Sequence, residues 1–127
     1  MINFILDYLE DRGVYAASRQ EQRTLEAGIS EFLEENGIRP DETRTYHRRY
    51  AAKLLDRVAG SDLKSYLLHY HLLRRINQII IEVRAGKTVT GAQRTGLYQA
   101  MEQLHRAGLG EKYVPIVEIR QILGKFA

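Results

Sequence analysis

Cysteine is absent from this sequence, which excludes disulfides and thiolate-bound zinc. The redox compartment is therefore left open, and nothing demands an oxidising one. A basic region before the apolar start MINFILDYL is also lacking, and Asp7 interrupts that start early. The segment is predicted to be a short amphipathic helix and not a secretory signal, and a cytoplasmic protein is expected. No apolar run is long enough for a membrane, which takes about 20 mainly apolar residues. The most apolar stretch is broken by charge, so no membrane partner is expected. Proline occurs only at Pro40 and Pro115. No internal repeat, low-complexity run or interdomain linker is visible, and 127 residues suit one domain spanning 1–127.

What the chain does have is a central stretch, Ser61 to Gly86, without proline or internal glycine. Ser61 suits an N-cap and Gly86 a left-handed C′ position. At 3.6 residues per turn, Lys64, His71, Arg75, Gln78 and Glu82 fall on one narrow polar line. Leucines, isoleucines and tyrosines occupy most of the remaining circumference, from Leu63 to Val83. Such a helix is buried from several sides. The run Ile79-Ile80-Ile81 also fits a strand, but the uninterrupted length and the two caps favour helix.

Five further helices are predicted around it. The first covers Met1–Arg12, with Ile2, Ile5, Leu6 and Leu9 inward and Gly13 as its stop. A capping box at Ser18 and Glu21 opens the second, which runs to Asn36 with Leu25, Ile29, Phe32 and Leu33 inward. Pro40 bars helix just before it, so the third starts near Asp41 and ends at Ala59. Its inward residues are expected to be Tyr46, His47, Tyr50, Leu54, Leu55 and Val58. A second capping box, Thr90 to Gln93, opens the fifth, which carries Leu97, Met101 and Leu104 and stops at Gly108. Pro115 suits the first turn of the sixth, striped by Ile116, Ile119, Ile122, Leu123 and Phe126, although strand is an alternative there. The expected fold is all-α: a compact single-domain bundle of about six helices around a long buried helix, about 61–85.

Charge is distributed unevenly. Residues 1–42 carry ten acids and four bases, and residues 43–127 carry fifteen bases and six acids. A net charge of +3 thus hides halves of −6 and +9, and arginine outnumbers lysine by fourteen to five. The halves either neutralise one another in the fold or leave a basic face for a polyanion, with forked arginine donors for phosphate.

Several chemistries fail on spacing. Gly86-Lys87-Thr88 resembles the end of a phosphate-binding loop, but Ile81 stands where the first glycine belongs and a helix replaces the required strand. His69 and His71 point to different sides of a helix and cannot share one ion, so no metal and no cofactor is expected. His47, His69 and Asn77 are expected to form a small buried polar network. The serines, Ser18, Ser30, Ser61 and Ser65, sit at caps or helix surfaces. Glu82, Glu102 and Glu118 are single carboxylates on separate helices. A cleft joining one of them to Arg74, Arg75 or Arg94 stays possible, but no catalytic constellation is recognisable.

The remaining candidate is Thr43 to Arg57, TRTYHRRYAAKLLDR, where arginine and tyrosine interleave. Arginine can hold phosphate, and tyrosine can stack on an exposed base or donate to phosphate. The alternative, favoured for the tyrosines, is that Tyr46 and Tyr50 are core residues. After the Pro40 loop, the Thr, Tyr and Leu spacing here resembles the helical DNA-clamping domain of tyrosine recombinases over a short segment without a diagnostic motif. No residue role is carried over from it. A helix-turn-helix at Gly60-Ser61 is excluded because the following helix is too apolar to lie in a groove. The leading expectation is a non-enzymatic helical binding protein whose partner is DNA or RNA, through Arg44, Arg48, Arg49 and Lys53. The rivals are a homodimer or protein-interaction module built on the long helix and the sixth helix, and an enzyme with an arginine-lined pocket.

Overall fold

The structure is a computed structural model that describes residues 1–124. Every regular element among them is helical, as the sequence predicts: α1 (Ile2–Asp11), α2 (Arg19–Glu35), α3 (Thr45–Ala59), a 3-10 turn (Gly60–Asp62), α4 (Leu63–Leu68), α5 (Tyr70–Arg84), α6 (Gly91–Arg106) and α7 (Ile116–Leu123). Residues 115–124 are therefore not a strand. Phe126, expected on the last stripe, lies outside the described residues. The chain divides into two compact units, Met1–Tyr70 and His71–Ala127.

In the first unit α2 packs on α4 and α1, and α3 packs on α1 and α4. Leu25, Ile29, Phe32 and Leu33 are buried as the 3.6-residue period requires. Gly28 joins them, and a Cβ there would overlap the carbonyl oxygen of Leu67. Glycine thus lets the backbones of α2 and α4 touch. Phe32, Tyr66 and Tyr70 meet edge to face, with ring centroids 5.5 to 6.2 Å apart. The Tyr70 hydroxyl donates to Glu35 Oε2 at 2.8 Å. At the start of α2 the Ser18 hydroxyl accepts from the Glu21 N–H at 3.1 Å, but Glu21 answers to Ala17 N–H, one residue beyond the expected box partner.

The expected single helix over 61–85 is interrupted. Ser61 lies in the 3-10 turn and caps nothing, and α4 ends at Leu68. At His69 both the backbone N–H and the ring Nδ1–H reach the Ser65 carbonyl, at 3.1 and 2.8 Å. A side chain entering the backbone ladder breaks a helix locally. Leu67, which Gly28 approaches closely, lies within α4, one turn or less before the break. The buried polar network does not form: no polar or charged residue is buried among the described ones, and Asn77 is exposed.

The second unit comprises α5 from His71 onward, α6 and α7, and α6 packs on α7. Leu72, Leu73, Ile76, Ile79 and Ile80 are buried, and His71, Arg75 and Gln78 of the polar line are exposed. Ile81, expected inside, is 63% exposed. Gly86 takes the left-handed conformation predicted for it, at φ 86°. The Thr90–Gln93 capping box is complete. The same Gln93 side chain donates to Glu82 Oε2 at 3.0 Å, tying α6 to α5. Arg84 grips Glu118 with two donors and ties α5 to α7.

Candidate nucleic-acid interface

Helix α3 is rotated relative to the sequence expectation. Its core line is Ala51, Ala52, Leu55 and Ala59. Tyr46 and Tyr50, favoured as core residues, are 77% and 48% exposed, and Val58 is also at the surface. The physical reason is packing distance. Alanines let α3 lie close against α1 and α4, where tyrosines would hold it away. Turning the alanines inward turns the tyrosines out.

The outward residues form one stripe. Tyr46, Arg49, Tyr50, Lys53 and Arg57 recur at helical spacing within an arc of about 100°. All five are exposed, and Arg49, Lys53 and Arg57 enter no ion pair among the described residues. Tyr46 stands perpendicular to the His47 ring, with centroids 5.4 Å apart. Aromatic faces and uncompensated cations thus alternate along about three turns.

Both ends of α3 are held. At the start, Glu42 accepts from the Arg44 N–H and Nε, each at 3.0 Å. These bonds hold the Glu42 carboxyl down at about 2, chiefly through the Arg44 side chain and then its backbone N–H. Arg48 turns the opposite way from Arg49. Its Nε donates to the Glu42 carbonyl at 3.3 Å, and its guanidinium lies 5.9 Å from the centre of the Phe4 ring. Toward the other end, Arg12, just after α1, holds Asp56 with two donors. Asp56 is the only acid on α3, so this pair leaves the stripe without an internal counter-charge. Arg12 also covers the Tyr8 ring at 4.7 Å. Burial first, then the Asp56 carboxylate, push the Tyr8 hydroxyl up to about 12, against the effect of Arg12.

Of the four residues picked from the sequence, the structure therefore brings only Arg49 and Lys53 together. Arg44 is exposed but bound to Glu42, and Arg48 is half-buried at the foot of the helix. Tyr46 and Tyr50, weighed as stacking residues but favoured for the core, join Arg49 and Lys53 on the exposed face, and so does Arg57, which the sequence reading does not pick. The signal was present, since the five share one helical line and a competing line of small residues lies opposite.

Other chemistry gains nothing. Lys87 and Thr88 follow a helix and not a strand, so the phosphate-loop reading stays excluded. Glu102 and His105 stand three apart on α6, a ligand spacing, but no group of three or more metal-ligating side chains exists among the described residues. No helix among them is long and apolar enough to cross a membrane.

No protein-family model, curated protein or solved structure matches this chain.

Proposed function

We propose that this protein binds nucleic acid through the exposed face of α3, without catalysing a reaction. The observation that carries this reading is the stripe itself: three unpaired cations interleaved with two exposed tyrosines on one held helix. Cations neutralise phosphates and release counterions, which gives binding that is weakly sequence-dependent and steeply salt-dependent. The test is fluorescence anisotropy of the full chain with labelled oligonucleotides over a salt series. Affinity is expected to fall linearly on a log–log plot. The slope should be about 0.9 per phosphate contact on duplex and about 0.7 on single strands. Arg49→Glu with Lys53→Glu should abolish binding without lowering the melting temperature. Absence of binding to every DNA and RNA probe at low salt would refute the proposal.

A second reading, a homodimer, is favoured by three large apolar side chains left at the surface of the second unit. Ile81, Tyr98 and Val117 are 63%, 56% and 65% exposed. Sedimentation equilibrium should then give twice 14.7 kDa at high micromolar concentration, and Ile81→Lys with Val117→Lys should halve it. A single 14.7 kDa species throughout excludes this reading.

A further inference from the structure

We infer that the preferred ligand of the α3 stripe is an unpaired strand, with two bases unstacked from one another and laid on Tyr46 and Tyr50. The inference rests on the nucleic-acid reading above and adds the class of ligand. Tyrosines carry no charge at neutral pH, so to a polyanion they offer a hydroxyl donor at most and their rings go unused. Yet Tyr46 is the most exposed large apolar side chain of the described residues, at 77%. Leaving such a ring in water forgoes the burial that aromatic side chains usually gain. A flat partner would recover that burial.

The spacing selects the state of the strand. Tyr46 and Tyr50 are four residues apart on one helix, so their Cβ atoms lie about 5–6 Å from each other. Stacked bases follow one another at about 3.4 Å along a strand. Two bases held on these two rings must therefore be pulled apart, and a duplex covers the faces on which the rings would stack. An unpaired strand has its base faces open and can extend to fit. The cations lie where the backbone of such a strand would run. Arg49 and Lys53 each stand three residues on from a tyrosine, and Arg57 extends the line one turn further. Duplex would meet these cations alone.

The test uses the full chain and three probes of equal length at fixed low salt. One is single-stranded oligothymidine, one is the same strand with its bases removed at abasic sites, and one is a duplex. The abasic strand keeps every phosphate. Stacking predicts that oligothymidine binds at least about ten-fold more tightly than the abasic strand. Tyr46→Ala with Tyr50→Ala should lower oligothymidine affinity to the abasic level and leave the abasic affinity unchanged. Tyr46→Phe with Tyr50→Phe should retain the difference, because stacking needs the ring and not the hydroxyl. Arg49→Glu with Lys53→Glu should remove binding to all three probes. Equal affinity for oligothymidine and the abasic strand would overturn the base-stacking inference while leaving phosphate binding in place. Binding to none of the probes would overturn both. A concentration-dependent dimer dissociated by the tyrosine-to-alanine changes would also overturn the inference, since the rings would then face a second copy.

Discussion

At Gly28 the missing side chain decides how closely α2 and α4 approach. A methyl group there would overlap the carbonyl of Leu67, a backbone atom that cannot swing aside. Gly28→Ala is therefore expected to cost about 3 kcal/mol, through forced separation of the two helices. Gly96, within α6, has no atom near the position of an added Cβ. Gly96→Ala should stabilise by about 0.5–1 kcal/mol, because alanine loses less backbone freedom in a helix. Thermal or urea unfolding of the two variants checks both signs, and the same sign for both would contradict the close approach at Gly28. The same scale separates neighbours of like charge. Arg48 and Arg49 are adjacent in sequence, but one serves the foot of α3 and the other points to solvent.

For whole elements, face assignment was legible wherever large aliphatic residues held the core line. The second helix and the capped start of α6 follow their sequence signals closely, as does α5 apart from Ile81. On α5 this yields a direct contrast. Ile80 is buried and Gln78 exposed, so Ile80→Asp is expected to lose several kcal/mol by burying an unpaired charge, about 3 or more. Gln78→Asp should change the melting temperature little. On α3 the core line is mostly alanine, which weighs less than tyrosine in a hydrophobic pattern, so the pattern points Tyr46 and Tyr50 inward where the fold turns them out. The break at His69 was not legible at all, because nothing in the residue types shows that the His69 ring turns back onto the Ser65 carbonyl. Acid reports on how α3 begins. Glu42 sits at about 2 when folded against an ordinary 4.5, held there by Arg44. A depressed carboxyl stabilises the fold above its unfolded value and loses that contribution as pH falls through the folded one. Glu21, held down by Lys64, and Glu118, held down by Arg84, act in the same sense. The melting temperature is thus expected to be flat from pH 7 to 5 and to drop between about 4.5 and 2. Glu42→Gln should make that drop shallower.

Across the molecule the sequence shows a charge imbalance, −6 over residues 1–42 and +9 over residues 43–127, and two physical effects could follow from it. A general field attracts any polyanion in proportion to total charge, whereas a local site depends on where the cations stand. Two variants of equal charge separate these effects. Arg49→Glu with Lys53→Glu reverses two cations on the stripe. Arg75→Glu with Lys87→Glu reverses two exposed cations elsewhere, on and just after α5. Each pair lowers the net charge of +3 by four. None of the four side chains enters an ion pair among the described residues, so neither variant leaves a broken partner behind. If α3 is the site, the first variant loses binding to single-stranded oligonucleotide. The second should lose only the few-fold that weaker long-range attraction removes, and its salt slope should match that of the unaltered chain. A field effect would weaken both variants alike and lower both slopes together. Comparing anisotropy at two salt concentrations decides between them. Screening at about 1 M salt shortens the field to about 3 Å, so affinity that the second variant keeps at high salt comes from direct contacts, and its loss in the first variant places those contacts on α3.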